Sequence, residues 1–300
     1  MKTSDPSPTA SARPASASGA GSVRSGKLVL RTLGGCDFDP LYVLDLIGQQ
    51  REQFTTILRG FSPADWTAPT RCARWSAHDL VRHLCDDAAK LIATGPDDST
   101  FDMAAGFDPR ITPGDWLTAS AGESPGATLD RYTAVTDELL AVLRARLAQD
   151  RGFDVGLPYG PMDWTVLMLH IFWDSWIHER DVLLPHGRLH PAGGDAIAYA
   201  TAYGIFMAAA VATMVGETVQ ETLALSGDGG GTFTVDNQAG VTVAFSRENA
   251  TGPLAAGLAD ALAGRSQTTA ALDDLPARSR SALSQLSVFL NTPTEPPSGS

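Results

Sequence analysis

Apolar positions in the first half of the chain recur with a helical period. Val43, Ile47, Phe54, Leu58 and Phe61 hold one face over residues 41–61, until Ser62, Pro63 and Asp65 interrupt it. Leu80, Leu84, Ala88 and Leu91 predict a second helix. Ser76 and Asp79 open it as a variant capping box, and Gly95 closes it. Leu129, Tyr132, Leu139, Val142 and Leu147 predict a third helix over 125–149. Residues 96–122 between them are rich in Pro, Gly and Asp. They are expected to form a long loop with at most short helical turns, the kind of segment that often rims or covers a site.

The stretch 161–185, PMDWTVLMLHIFWDSWIHERDVLLP, predicts a fourth helix, started near Pro161 and Asp163 and stopped by Pro185. It is apolar or aromatic nearly all round, so it is expected to be buried on most faces. After a linker at Gly187, Pro191, Gly193 and Gly194, an Ala-rich helix is predicted over 195–215. Residues 196–216 carry no charge and are long enough for a bilayer. Ala, Thr, Tyr and Gly dominate and Leu is absent, so a closely packed internal helix is expected instead. The period then changes to two. Runs at 221–226, 231–236 and 241–246, separated by turn signals at 228–231 and 237–240, predict a three-stranded meander. Helices at 253–263, ended by Gly264, and at 279–290 complete the pattern.

These elements predict a mainly α protein, with a four-helix bundle over 37–190 followed by a small α+β domain over 191–292. Tails at 1–36 and 293–300 are expected to be disordered. The first of them is mostly Ser, Ala, Pro and Gly through about residue 26, too poor in apolar surface to offset its ordering entropy.

Composition narrows the function classes. Hydrophobic content of 43% and charged content of 19% over 300 residues suit a globular core. A net charge of −12 and a pI near 4.8 argue against nucleic acid and against an anionic membrane surface as partners. Cys36, Cys72 and Cys85 form no paired framework and the first residues lack an apolar run, so a reduced, cytoplasmic protein without a signal peptide is expected.

Chemistry concentrates in the fourth helix. His170, Asp174 and His178 are spaced four apart and stack along one face, with Asp181 on the same face. Such groups inside an apolar helix are costly unless satisfied. Two readings satisfy them: a divalent metal, for which imidazole and carboxylate are suitable donors, or a hydrogen-bonded His–Asp–His ladder. Glu179 and Arg180 point off that face and are expected to be surface charges. Trp66 and Trp75 are expected to plug the end of the bundle. His83 lies at the edge of the second helix's core face, where a lone histidine is most often structural. Aromatic Trp164, Phe172, Trp173 and Trp176 suit an apolar ligand and equally a bundle core.

Two motifs together point to a family. The run W-x-x-P-T-x-C-x-x-W-S-x-x-D-L-V-x-H-L, from Trp66 to Leu84, resembles the N-terminal domain of mycothiol-dependent maleylpyruvate isomerases, within the wider DinB-like metalloprotein group. D-S-W-I-H-E-R-D-V, from Asp174 to Val182, is similar to that family's second ligand helix, and A-D-A-L-A-G-R, from Ala259 to Arg265, to its C-terminal domain. The resemblance spans residues 41–272. It implies a DinB-like up-and-down four-helix bundle with a sterol-carrier-like α+β domain. It also implies a metal, most readily Zn²⁺, held by His83, Asp174 and His178, with water completing the shell as in catalytic sites.

The isomerase carries Glu where this chain has Asp174, which leaves its substrate open here. The resemblance assigns His170 no role; one turn before Asp174, it is a candidate general base or partner behind the ligands, or simply a packed histidine. Asp181 is a candidate hydrogen-bond acceptor for a ligand imidazole. Arg82 is a candidate contact for an anionic substrate. Mycothiol as cosubstrate implies a metal-activated thiolate that adds to an electron-poor alkene. Rotation and elimination then give isomerisation, and stopping at addition gives S-transfer. Two alternatives remain: a thiol-independent metal-assisted hydrolysis, cyclisation or epoxide opening on a small metabolite, and a non-catalytic metal or hydrophobic-ligand binding protein.

Overall fold

The structure is a computed structural model that describes residues 28–31, 37–93, 106–149, 152–157, 160–188, 192–247, 249–265 and 270–291. It begins with strand β1 (Leu28–Arg31) and helix α1 (Pro40–Leu58). Asp39 caps α1 by accepting from the Leu41 and Tyr42 amides, and Pro40 sits where its missing N–H costs nothing. A short helix α2 (Pro63–Thr67) follows on a Ser62/Asp65 capping box. Helix α3 (Ala77–Ala93) opens on the expected reciprocal pair, with the Ser76 amide donating to Asp79 Oδ2 at 2.9 Å and the Asp79 amide to Ser76 Oγ at 3.2 Å.

The expected loop over 96–122 contains helix α4 (Thr112–Ala119), which buries Pro113 and Leu117. Helix α5 (Pro125–Ala148) is capped by Ser124. A hairpin of β2 (Asp154–Leu157) and β3 (Gly160–Asp163) then delivers the chain to α6 (Trp164–Leu183). The fourth helix thus starts three residues later than Pro161 suggested. Pro161 pairs in the hairpin, and the Asp163 side chain caps the helix by accepting from the Thr165 amide at 2.8 Å.

Helices α1, α3, α5 and α6 form the bundle, in which α1 and α3 each pack on both α5 and α6. A core of Phe54, Leu58, Trp66, Leu80, Leu84, Tyr132 and Val182 fills one end of it, so Trp66 is the expected plug. Each such side chain, fully buried, contributes about 1.5–3 kcal/mol.

Helix α7 (Gly194–Met214) is long and apolar enough to cross a membrane by length and composition, yet nearly all of that span is buried inside the protein. It packs on α6 and under a sheet of β4 (Gln220–Leu225), β5 (Gly231–Asp236) and β6 (Thr242–Ser246). Gly204 permits the approach to α6, since a Cβ there would lie 3.3 Å from Trp173 Nε1. Helices α8 (Ala255–Leu262), α9 (Ala270–Asp273), α10 (Ala277–Leu283) and α11 (Gln285–Asn291) close the domain. The helix expected over 279–290 is therefore two, meeting at Ser284.

One assignment needs correcting. The sheet has four strands in the order β1-β6-β5-β4, because Leu28–Arg31 pairs antiparallel with Thr242–Phe245. Part of the expected N-terminal tail is thus an edge strand of the C-terminal sheet. The partner edge of β6 supplies the hydrogen bonds that so short a segment could not satisfy alone. The rest of both expected tails lies outside the described residues.

Candidate metal centre

Helix α3 brings His83 against α6, where Asp174 and His178 stand one turn apart. His83 Nε2 lies 3.8 Å from Asp174 Oδ2, and His178 Nε2 lies 3.5 Å from Asp174 Oδ1. One donor atom from each of the three falls within 4.8 Å of the others. The two imidazole rings are 4.9 Å apart and perpendicular, and the Trp75 ring covers both, 5.0 Å from His83 and 6.2 Å from His178. Asp87, one turn beyond His83 on α3, puts Oδ2 3.3 Å from His83 Nε2, on the side of the ring that also faces Asp174. Exposure rises across the cluster, from 5% for the His83 side chain and 12% for His178 to 21% for Asp174 and 26% for Asp87. The cluster therefore opens to solvent on its carboxylate side.

The electrostatics of the cluster's own side chains are unbalanced. Burial holds the His83 imidazole neutral, its pKa pushed down to about 3. Burial also works against protonation of His178, but Asp174 and Asp181 outweigh it and raise its pKa well above the histidine range. Burial and the neighbouring Asp174 push the Asp87 carboxyl well above the usual range. Asp174 itself is held low, because His178 and His83 outweigh its burial. Two carboxylates and two imidazoles thus meet at one place, and without a cation they favour extra protons on Asp87 and His178. A divalent cation relieves that crowding, and nitrogen and oxygen donors of this kind suit zinc and its neighbours. The residues present fit a metal.

Behind His178 the arrangement is of another kind. Asp181 is fully buried and accepts from His178 Nδ1 at 3.2 Å, Arg71 Nε at 2.9 Å, Arg265 Nε at 2.8 Å and Cys72 Sγ at 3.1 Å. Asp260 on α8 accepts in turn from Arg71 at 2.8 Å and from Arg180 Nε at 3.0 Å. Burial alone would raise the Asp181 pKa, but Arg265 and His178 hold it far below the carboxylate range. Cys72, His178 and Asp181 also offer close donor atoms, yet a cation there would meet two guanidinium groups already paired with Asp181. This second cluster orients the His178 ring so that Nε2 faces Asp174.

The other residues singled out in the sequence go elsewhere. His170 stands one turn before Asp174 with Nδ1 3.2 Å from the Tyr203 hydroxyl of α7, outside the donor cluster. The Arg82 guanidinium faces away from the cluster. It is buried on Asp79, the Leu117 carbonyl at 3.0 Å and Ser120 Oγ at 3.1 Å, where it fastens α4 to α3. Glu179 and Arg180 are not surface charges, because α6 has neighbours on every side. Glu179 is 1% exposed, and Arg180 pairs with Asp260 over the Trp176 ring. Sequence reasoning missed Asp87, although its spacing of four from His83 repeats that of Asp174 and His178. It also missed Arg71, Cys72 and Arg265, whose meeting with Asp181 has no local signature.

A family model described as the mycothiol maleylpyruvate isomerase N-terminal domain matches residues 47–183. The fold is similar to a crystal structure of the mycothiol-dependent maleylpyruvate isomerase, at 14% identity and a TM-score of 0.54. It is similar also to a histidine-to-alanine mutant of that enzyme, at 13% identity and a TM-score of 0.55. Each match covers 76% of this chain and 90% of the other. No curated protein matches the sequence.

Proposed function

We infer from the match over residues 47–183 that this part of the chain is a domain of the mycothiol maleylpyruvate isomerase N-terminal type. On that premise we propose that it is a divalent-metal-dependent enzyme acting on a small electrophilic substrate with a thiol such as mycothiol. The observation that carries the reading is the convergence of His83, Asp174 and His178 from two helices far apart in sequence. Those three residues would hold the ion, with Zn²⁺ the most suitable. When bound, such an ion supplies Lewis acidity that lowers the pKa of a thiol or polarises a substrate oxygen.

The chain's own groups do the rest. Asp181 keeps the proton of His178 on Nδ1, which leaves the Nε2 lone pair on the cluster side. Trp75 shields both imidazoles from water on one flank. The more exposed Asp174 and Asp87 mark the side from which a substrate enters. Thiolate addition to an electron-poor alkene, bond rotation and elimination return the thiol and leave the isomerised product. Retention of the adduct gives S-transfer instead.

Elemental analysis of the purified protein beside His83→Ala and His178→Ala tests the metal. Either substitution is expected to remove most of it, and wild-type stoichiometry in both variants overturns the reading. Turnover of maleylpyruvate with and without mycothiol tests the chemistry. A metal-replete protein whose turnover ignores the thiol belongs to the thiol-independent class instead.

A further inference from the structure

We propose that Asp87 is a fourth protein ligand to the metal, so that α3 and α6 each contribute one imidazole and one carboxylate. The inference rests on the metal reading above and concerns this chain's own residues. On α3, His83 and Asp87 are one turn apart, and on α6, Asp174 and His178 are one turn apart. Across the contact, imidazole faces imidazole and carboxylate faces carboxylate.

Which ring nitrogen each carboxylate faces decides its role. A carboxylate that only orients a ligand histidine accepts from the nitrogen turned away from the metal. Asp181 does this at His178, on Nδ1. Asp87 does the opposite at His83. It lies 3.3 Å from Nε2, the same nitrogen that faces Asp174 at 3.8 Å, while Nδ1 has no hydrogen-bond partner among the described residues. Asp87 is thus on the donor side of the ring.

A second carboxylate has two consequences. Two nitrogen and two oxygen donors shift preference from zinc toward harder ions such as Mn²⁺ or Fe²⁺. Two carboxylates also neutralise a divalent ion. The centre then attracts an anionic substrate less than a single-carboxylate centre would, and it favours a neutral electrophile over a dicarboxylate.

Cobalt(II) titration of the metal-free full chain, followed by visible absorption and by competition with a chelator, is the test. Asp87→Asn is expected to weaken cobalt binding at least about tenfold and to change the position and intensity of the d–d bands. An unchanged spectrum overturns the proposal, whether or not affinity falls, because a residue outside the coordination shell can alter affinity alone. Should Asp87→Asn not fold, Asp87→Glu keeps the charge and lengthens the arm. It is expected to bind cobalt with displaced bands, and identical bands overturn the proposal. A wild-type chain that binds no cobalt overturns the metal reading itself, whereas a binding wild type with an indifferent Asp87 variant overturns only this one.

Discussion

His178 and His83 present the same group to the same cluster from opposite surroundings. Behind His178 stands a buried lattice of alternating charge, Asp181 with Arg71 and Arg265, then Asp260 with Arg71 and Arg180. Two of its members, Asp260 and Arg265, come from the C-terminal domain. Behind His83 the Nδ1 atom has no partner among the described residues, and the ring is held by packing under Trp75 and by its helix. One imidazole is oriented by ionic contacts drawn from three parts of the chain, the other by local packing. The C-terminal domain therefore reaches the candidate centre indirectly, through Asp181.

The contrast is sharpest at Asp181 itself. Asp181→Ala takes one carboxylate from two buried guanidinium groups, of which Arg71 keeps Asp260, and is expected to cost about 3–5 kcal/mol in urea unfolding of the metal-free protein. A cost below about 1 kcal/mol would falsify the claim that the lattice is a structural anchor. Next in size is Arg265→Leu, which touches no candidate ligand. It is expected to weaken metal binding about 10- to 100-fold by loosening Asp181 and with it the His178 ring. Affinity equal to wild type in a chelator competition would separate the two domains functionally.

The two imidazoles also predict opposite dependences on pH in the metal-free protein. His83 has its pKa depressed to about 3, so the unfolded chain binds more protons there than the native one below about pH 6.5. Its neutral burial therefore subtracts more than about 1 kcal/mol as pH falls from 7 to 4. His178 has its pKa raised, so its contribution is full below the ordinary histidine value and fades as pH rises through the folded one. His83→Gln is expected to flatten the acid limb of stability against pH, and His178→Gln the alkaline limb. Parallel curves for the two variants would erase the distinction. The smallest effect belongs to Arg82→Ala. It breaks the α3–α4 contact but is expected to change metal affinity less than about twofold, since among the described residues no bond of Arg82 reaches the cluster. A larger loss would bring Arg82 back into the site.

Local rules carried the helical part of the fold. Ser76 caps a helix where its spacing to Asp79 placed one, and the apolar faces of α1, α3 and α5 turn inward as their period required, whereas Ser62, read as a breaker, caps the unexpected α2. The meander of β4 to β6 followed from its period of two. The hairpin before α6 did not, because Gly156, Gly160 and Pro161 look like breakers until β2 and β3 pair. Strand β1 was hidden for a related reason, since its partner β6 lies near the other end of the chain.

The same division runs through the candidate site. Asp174 and His178 were legible because one helix turn stacks residues four apart, and that geometry is local. His83 entered only through resemblance to a family, and its place beside α6 was decided by packing of the bundle. Asp87 obeyed the same four-residue rule but carried no signal until α3 met α6. The lattice around Asp181 was beyond any local rule. Backbone periodicity specifies which side chains share a face of one element, whereas the pairing of buried charges depends on which faces are pressed together, and only the folded chain settles that.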